Sequence, residues 1–141
     1  MTMNHIVLVL IALLTLGTPA QAADDSLYRA LGERQNIAVF VHTATVDWVK
    51  DPVIGYTFDN LNLERFEQRL VDQICELAGG PCKYTGRNMY LSHKGLHLSE
   101  TEFYRLCEGL QTAMENAHVG FHAQNLLLEI LAPMKRDIVT R

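Results

Sequence analysis

Apolar residues recur at helical spacing through most of the chain, and the breaks between those stripes divide it into elements. Ile37, Phe40, Val41, Ala44, Thr45 and Trp48 fall on one face of a predicted helix, with the hydroxyl of Thr45 inside the stripe. Asp51-Pro52 stops that helix, because the residue before a proline is driven out of the α region. Residues 53–58 form an apolar connector whose aromatics, Tyr56 and Phe58, must pack on something. A second stripe, opened by Asp59 or Asn60, carries Leu63, Phe66, Leu70, Gln73, Ile74 and Leu77. Gln73 is its polar member, and inside such a stripe it finds a hydrogen-bond partner, meets a ligand or reaches water at the edge. Ser99-Glu100-Thr101-Glu102 is a capping-box sequence that introduces a stripe of Phe103, Leu106, Cys107, Leu110, Met114 and Ala117. Val119-Gly120 breaks it, and the last helix carries Leu127, Ile130, Leu131, Met134 and Ile138, with a kink predicted at Pro133. Near the front, Ser26 is predicted to cap a very short helix that Gly32 ends. No segment alternates as a strand would, so the expected class is all-α.

One further apolar run does not fit this scheme. Residues 6–16 are apolar apart from Thr15, too short to cross a bilayer as a mature helix, and Ala20-Gln21-Ala22 follows as a small-x-small cleavage site. The reading is a signal peptide over residues 1–22, although the segment before the run has no Lys or Arg; a retained anchor is the alternative. Residues 23–141 then form one domain, exported to an oxidising compartment, most simply a bacterial periplasm, with no membrane contact once the signal is removed. The net charge of −4 and the lack of a basic stripe argue against a nucleic-acid partner. Of the three cysteines, Cys75 and Cys82 flank Gly79-Gly80-Pro81. Their spacing permits either a short-loop disulfide, with Cys107 left reduced and buried, or three buried thiols.

The chemistry gathers in residues 79–98, a long irregular connection of the kind that carries function in small domains. His93 offers an imidazole that can bind metal, Lys83 and Arg87 offer cations for a carboxylate, and Met89, Leu91 and Leu96 offer apolar surface. His97 lies four residues on, so an HxxxH zinc site is an alternative, weakened by the helix-breaking Gly95. His42, His118 and His122 have no partner at ligand spacing and read as solvated, and Lys135-Arg136-Asp137 reads as a charged C-terminal turn.

LGERQNI, KDPVIGYTF, ELAGGPCKYTGRNM, LSHKGL and LLLEILAPMKRDIV, taken together, resemble a group I truncated haemoglobin from Ser26 to Val139. The most specific part is GGP-x-x-YTGR-x-M followed by H-x-G-L. The resemblance implies a two-over-two helical sandwich around haem b, with His93 as the proximal iron ligand and Phe58 packed on the haem face. Phe66 and Leu70 fall on the helix covering the distal side, Met89 lines the slot, and Arg87 matches a partner for a haem propionate. Thr45 and Gln73 fall at the ligand pocket. Many members of that family carry a tyrosine at the Thr45 position and a glutamine at the Phe66 or Leu70 position, and those groups hold bound oxygen; this chain has neither.

The implied function is reversible binding of a diatomic gas (oxygen, nitric oxide or carbon monoxide) for transport, storage or sensing. A haem enzyme, a nitric oxide dioxygenase or a peroxidase served by a reductase, is the alternative. It asks for distal polar groups that steer bond cleavage, and Thr45 and Gln73 are a thin set for that. A cofactor-free helical interaction domain is the third reading.

Overall fold

The computed structural model describes residues 24–140; the apolar run and the cleavage site lie outside them. The helices are α1 (Ser26–Ala30), α2 (Glu33–Trp48), α3 (Leu63–Leu77), α4 (Met89–His93), α5 (Glu100–Asn116), α6 (Phe121–Leu131) and α7 (Lys135–Ile138). A 3-10 turn, Gly55–Phe58, precedes α3, and another, Ala132–Met134, takes up Pro133 between α6 and α7. Among the described residues the sole extended pairing is an isolated parallel bridge between Leu98 and Val139. The fold is the all-α, two-over-two sandwich: α2 packs on α3 and α5, α5 on α6, and the short α1 leans on α2 and α6.

The α2 stripe is the spine of the core. Ile37, Phe40, Val41, Ala44, Thr45 and Trp48 are all at 2 % exposure or less. Trp48 stacks on Phe58 at 6.1 Å between ring centroids, and its indole N–H donates to the Leu106 carbonyl at 3.2 Å. Gly109 on α5 makes room for that indole, since a Cβ there would lie 2.4 Å from the ring nitrogen. Gly32, at φ +83°, turns the chain from α1 into α2.

Two predicted helix openings move. Ser26 is the first residue of α1 rather than its cap, and its N–H is held by the Asp24 carboxylate at 3.0 Å. Neither Asp59 nor Asn60 opens α3, because the 3-10 turn runs on to this point and delays the helix. Asn62 caps it instead, its side chain accepting from the Arg65 N–H at 2.8 Å. The Ser99–Glu102 capping box forms as expected, and the Glu102 carboxylate also accepts from the Tyr56 hydroxyl, which ties the connector to α5. Lys135, in the charged C-terminal turn, pairs with Glu100 at 2.7 Å and donates to the Tyr104 hydroxyl at 3.0 Å; these contacts push its pKa up to about 12.

The largest departure concerns α3. Its buried residues are Val71, Ile74 and Cys75, followed by Ala78 at the C-cap, about a quarter turn away from the centre of the predicted stripe. Leu63 is exposed, and Phe66, Leu70, Gln73 and Leu77 are half-buried.

Candidate haem site

The site is built from the end of α3 outward. Helix α3 closes on Gly79 at φ +86°, where a Cβ would come within 2.1 Å of the Asp24 carbonyl. At Gly80 a Cβ would meet the Tyr28 ring and the Cys75 sulfur. Cys75 and Cys82 form the disulfide, with Cα atoms 5.7 Å apart, while Cys107 is a free thiol, half-buried rather than fully enclosed. Burial pushes the Cys107 thiol up from its ordinary value, with a smaller contribution from Glu108.

Beyond the disulfide, the loop is stitched back to α3. The Glu76 carboxylate accepts the Tyr84 N–H at 3.0 Å and the Lys83 ammonium at 3.3 Å, and the two hold its carboxyl below the usual range, Tyr84 contributing most. Arg69 on α3 donates to the Thr85 hydroxyl. The Tyr84 hydroxyl donates to the Arg87 carbonyl at 2.7 Å. Asn88 then caps α4 by accepting the Leu91 N–H at 2.8 Å.

Helix α4 ends on His93. Lys94 leaves in an extended conformation, Gly95 sits at φ +85° and His97 at φ +52°, so His93 and His97 do not share a helix face. Among the described residues no three His, Cys, Asp or Glu side chains gather as a metal cluster, and the zinc alternative has no geometry here. His93 Nδ1 lies 2.8 Å from the Met89 carbonyl oxygen. A carbonyl can only accept, so Nδ1 carries the proton and Nε2 is left with the lone pair that binds a metal. Such a backing hydrogen bond is what orients a ligating imidazole.

From the half-buried face of α3, Gln73 reaches the helix that carries this histidine. Gln73 Nε2 donates to the Met89 sulfur at 3.7 Å, the contact that joins α3 to α4, while α4 itself leans on α7. Phe58 is buried, with Phe66 edge-on to it at 5.5 Å, so the two form one aromatic wall with Trp48 behind. Leu70 lies one turn further along α3, half-buried. Arg87 is exposed on the loop, as is Lys83. Leu91 and Leu96 are large apolar residues at 48 % and 42 % exposure beside His93. Thr45 is the predicted residue that behaves differently: at 1 % exposure, its hydroxyl donates to the Val41 carbonyl at 2.8 Å and is spent within its own helix.

The remaining histidines, His42, His118 and His122, are exposed, and His42 rests 3.1 Å from Glu67. Sequence reasoning missed Glu76, Tyr84 and Asn88, which position the loop. Asn88 had a local signal as a cap residue before a short apolar run. Glu76 and Tyr84 had none, because their partners are set by how the loop folds back.

An imidazole with its Nε2 left to accept, the paired rings of Phe58 and Phe66 and the exposed cations of the loop are the parts that a haem protein of globin type uses. Residues 26–140 match the bacterial-like globin family, and the chain belongs to it. Group 1 truncated hemoglobins are among its relatives. That of Tetrahymena thermophila is 32 % identical over 87 residues, spanning 62 % of this chain and 72 % of the relative. That of Mycolicibacterium paratuberculosis is 26 % identical over 120 residues, 85 % and 88 % of the two chains. The Fe(III) structure of the truncated hemoglobin of Tetrahymena pyriformis superposes with a TM-score of 0.78 at 23 % identity, covering 82 % of this chain and 98 % of that one. The 2/2 hemoglobin of Synechococcus sp. PCC 7002 does so at 0.75 and 20 % identity, with the same coverage. The cofactor is haem b, and an imidazole whose Nε2 is left to accept fits its iron.

Proposed function

We propose that this globin binds a diatomic gas reversibly, with His93 as the proximal ligand of the haem iron. The observation that carries the reading is the His93 Nδ1–Met89 carbonyl hydrogen bond, which leaves the Nε2 lone pair available to a metal. Haem supplies an iron whose open face takes oxygen, nitric oxide or carbon monoxide, with affinity tuned by the protein around it. Phe58 and Phe66 would hold the ring, Leu70 and Met89 would line it, and Arg87 would supply a cation for a propionate.

The distal groups favour binding over catalysis. The Thr45 proton is spent on Val41, and one N–H of the Gln73 amide is engaged by the Met89 sulfur, which leaves Gln73 as the remaining candidate donor on this side. Nitric oxide dioxygenation or peroxide cleavage needs such a donor. A partner reductase belongs to the reading, because oxygen binding requires the reduced metal. Export to a periplasm is the matching address, supported by the apolar run before Ala20-Gln21-Ala22 and by the disulfide, which persists in oxidising compartments. Among the described residues no helix is long and apolar enough to cross a membrane.

The deciding experiment is an absorption spectrum of the reduced protein with and without carbon monoxide. A five-coordinate haem spectrum that converts on carbon monoxide addition is expected. Absence of haem uptake would remove the reading, and repeated nitric oxide consumption in the presence of a reductant would replace carrier with enzyme. Mass analysis of the protein from fractionated cells tests export, with a chain beginning at Ala23 expected.

A further inference from the structure

The segment that carries His93 is tied to α3 by few bonds, and they are unequal. Helix α4 packs chiefly on α7. The Lys83–Glu76 pair is open to solvent, with side chains 82 % and 38 % exposed, and such pairs contribute little. The Arg69–Thr85 contact is also exposed, and the Gln73 amide meets only a thioether, a weak acceptor. The covalent tie is Cys75–Cys82. Cys75 is at 0 % exposure in the core, a fixed anchor, whereas Cys82 is half-buried between exposed Pro81 and exposed Lys83.

We propose that this disulfide is a redox-sensitive clamp: it holds the loop and α4 so that His93 stays on the iron, and reduction by a dithiol loosens the histidine and lets haem go. The proposal rests on the reading of His93 as the haem ligand. Residues 83–88 run from the clamp to the cap of α4 through Tyr84, whose N–H is fixed by Glu76 and whose hydroxyl fixes the Arg87 carbonyl. Release of Cys82 leaves the start of the segment that ends on His93 held to α3 by the Tyr84–Glu76 hydrogen bond and the weak exposed contacts alone, and so loosens it.

The chemistry is thiol–disulfide exchange. A thiolate of the dithiol attacks the Cys82 sulfur, the S–S bond breaks, and Cys75 departs with the electron pair and takes up a proton. The reductant's second sulfur attacks the mixed disulfide, closes its own ring and releases Cys82. Two electrons pass from the dithiol to the pair. Arg34 donates to the Cys82 sulfur at 3.3 Å while held by Asp72, and a guanidinium there stabilises a thiolate on Cys82 once the bond is open.

The test uses the haem-loaded protein carrying Cys107→Ser, so that the titrating thiols belong to the clamp. Dithiothreitol is the probe. On reduction, with two thiols counted, haem transfer to excess apomyoglobin should accelerate at least about tenfold. The iron–histidine stretching band of the reduced five-coordinate protein should shift, and reoxidation should restore both. Cys82→Ser should match the reduced protein. In the haem-free chain, hydrogen exchange should rise across residues 82–93 and little elsewhere. Two titrated thiols with an unchanged transfer rate would overturn the clamp. So would faster transfer with an unmoved band and exchange raised evenly over all helices, which marks a general brace. An oxidised protein that takes up no haem would instead sink the assignment of His93, and the exchange experiment on the haem-free chain would still decide whether the disulfide holds the loop.

Discussion

The stripe on α2 sits at 2 % exposure or less throughout, whereas on α3 Phe66, Leu70, Gln73 and Leu77 stay half-buried and Leu63 is exposed. In the sequence the two stripes look alike. The difference lies in what each faces: α2 meets α3 and α5, while α3 packs on α2 alone among the principal helix contacts and reaches α4 through Gln73. An apolar helix face that the protein does not cover is expensive in water unless something else covers it. The proposed haem site gives this one its cover.

The sharpest way to break that comparison is to remove the anchor on the far side of the slot. His93→Ala should abolish or nearly abolish haem uptake, read as loss of the haem absorption of the purified protein. His97→Ala should leave it intact, since His97 lies beyond the end of α4. Equal haem content in the two variants would refute the assignment.

Next in size is a pair of truncations, one on each stripe. Trp48→Ala removes a fully packed indole and its hydrogen bond, and should destabilise the haem-free chain by about 3–5 kcal/mol. Phe66→Ala should cost the haem-free chain less, about 1–2 kcal/mol, because its ring is already part-exposed there, yet speed haem loss markedly. Denaturant titration without haem and haem-transfer kinetics separate the two. Equal losses of stability would mean that both stripes are ordinary core.

Gas release comes third. A donor to bound oxygen contributes about 1.5–3 kcal/mol when the acceptor is charged, and tenfold corresponds to about 1.4 kcal/mol. Oxygen should therefore leave roughly ten to a hundred times faster than from a pocket with the tyrosine–glutamine pair. Thr45→Tyr should slow release in stopped-flow measurements, with a packing cost of about 1–3 kcal/mol at so buried a position. Gln73→Leu should change release less than about threefold, below one ordinary hydrogen bond. A tenfold acceleration would make Gln73 a distal donor after all.

The smallest effect is a pH dependence of the loop. Tyr84 and then Lys83 depress the Glu76 pKa, so its contribution is fully present above the unfolded carboxyl's value and is lost as pH falls through the folded one. Hydrogen exchange over residues 82–93 should quicken in acid, below about pH 4. Glu76→Gln should remove that step and quicken exchange slightly at neutral pH.

Much of this molecule was legible in the order of its residues. The α2 stripe, the capping box at Ser99, the stop at Asp51-Pro52 and the turns at Gly32 and Gly79 rest on local physics: helical period, side chains satisfying nearby N–H groups, and backbone angles that only glycine adopts freely. His93 stands out as a candidate ligand through the family motif around it, and the Cys75–Cys82 spacing allowed the bridge that forms.

What tertiary structure alone decided was which of several locally equivalent choices prevailed. Asp59, Asn60 and Asn62 can all cap a helix, and the 3-10 turn before them selected Asn62. Val71 and Cys75, not Leu63 and Leu77, face the core, because the buried face of a helix is set by its neighbours and not by its own period. The partners of Thr45, Gln73 and Glu76 are likewise decided by the folded chain. A hydrogen bond needs a donor and an acceptor within about 3 Å, and the sequence places such groups without measuring the distance between them.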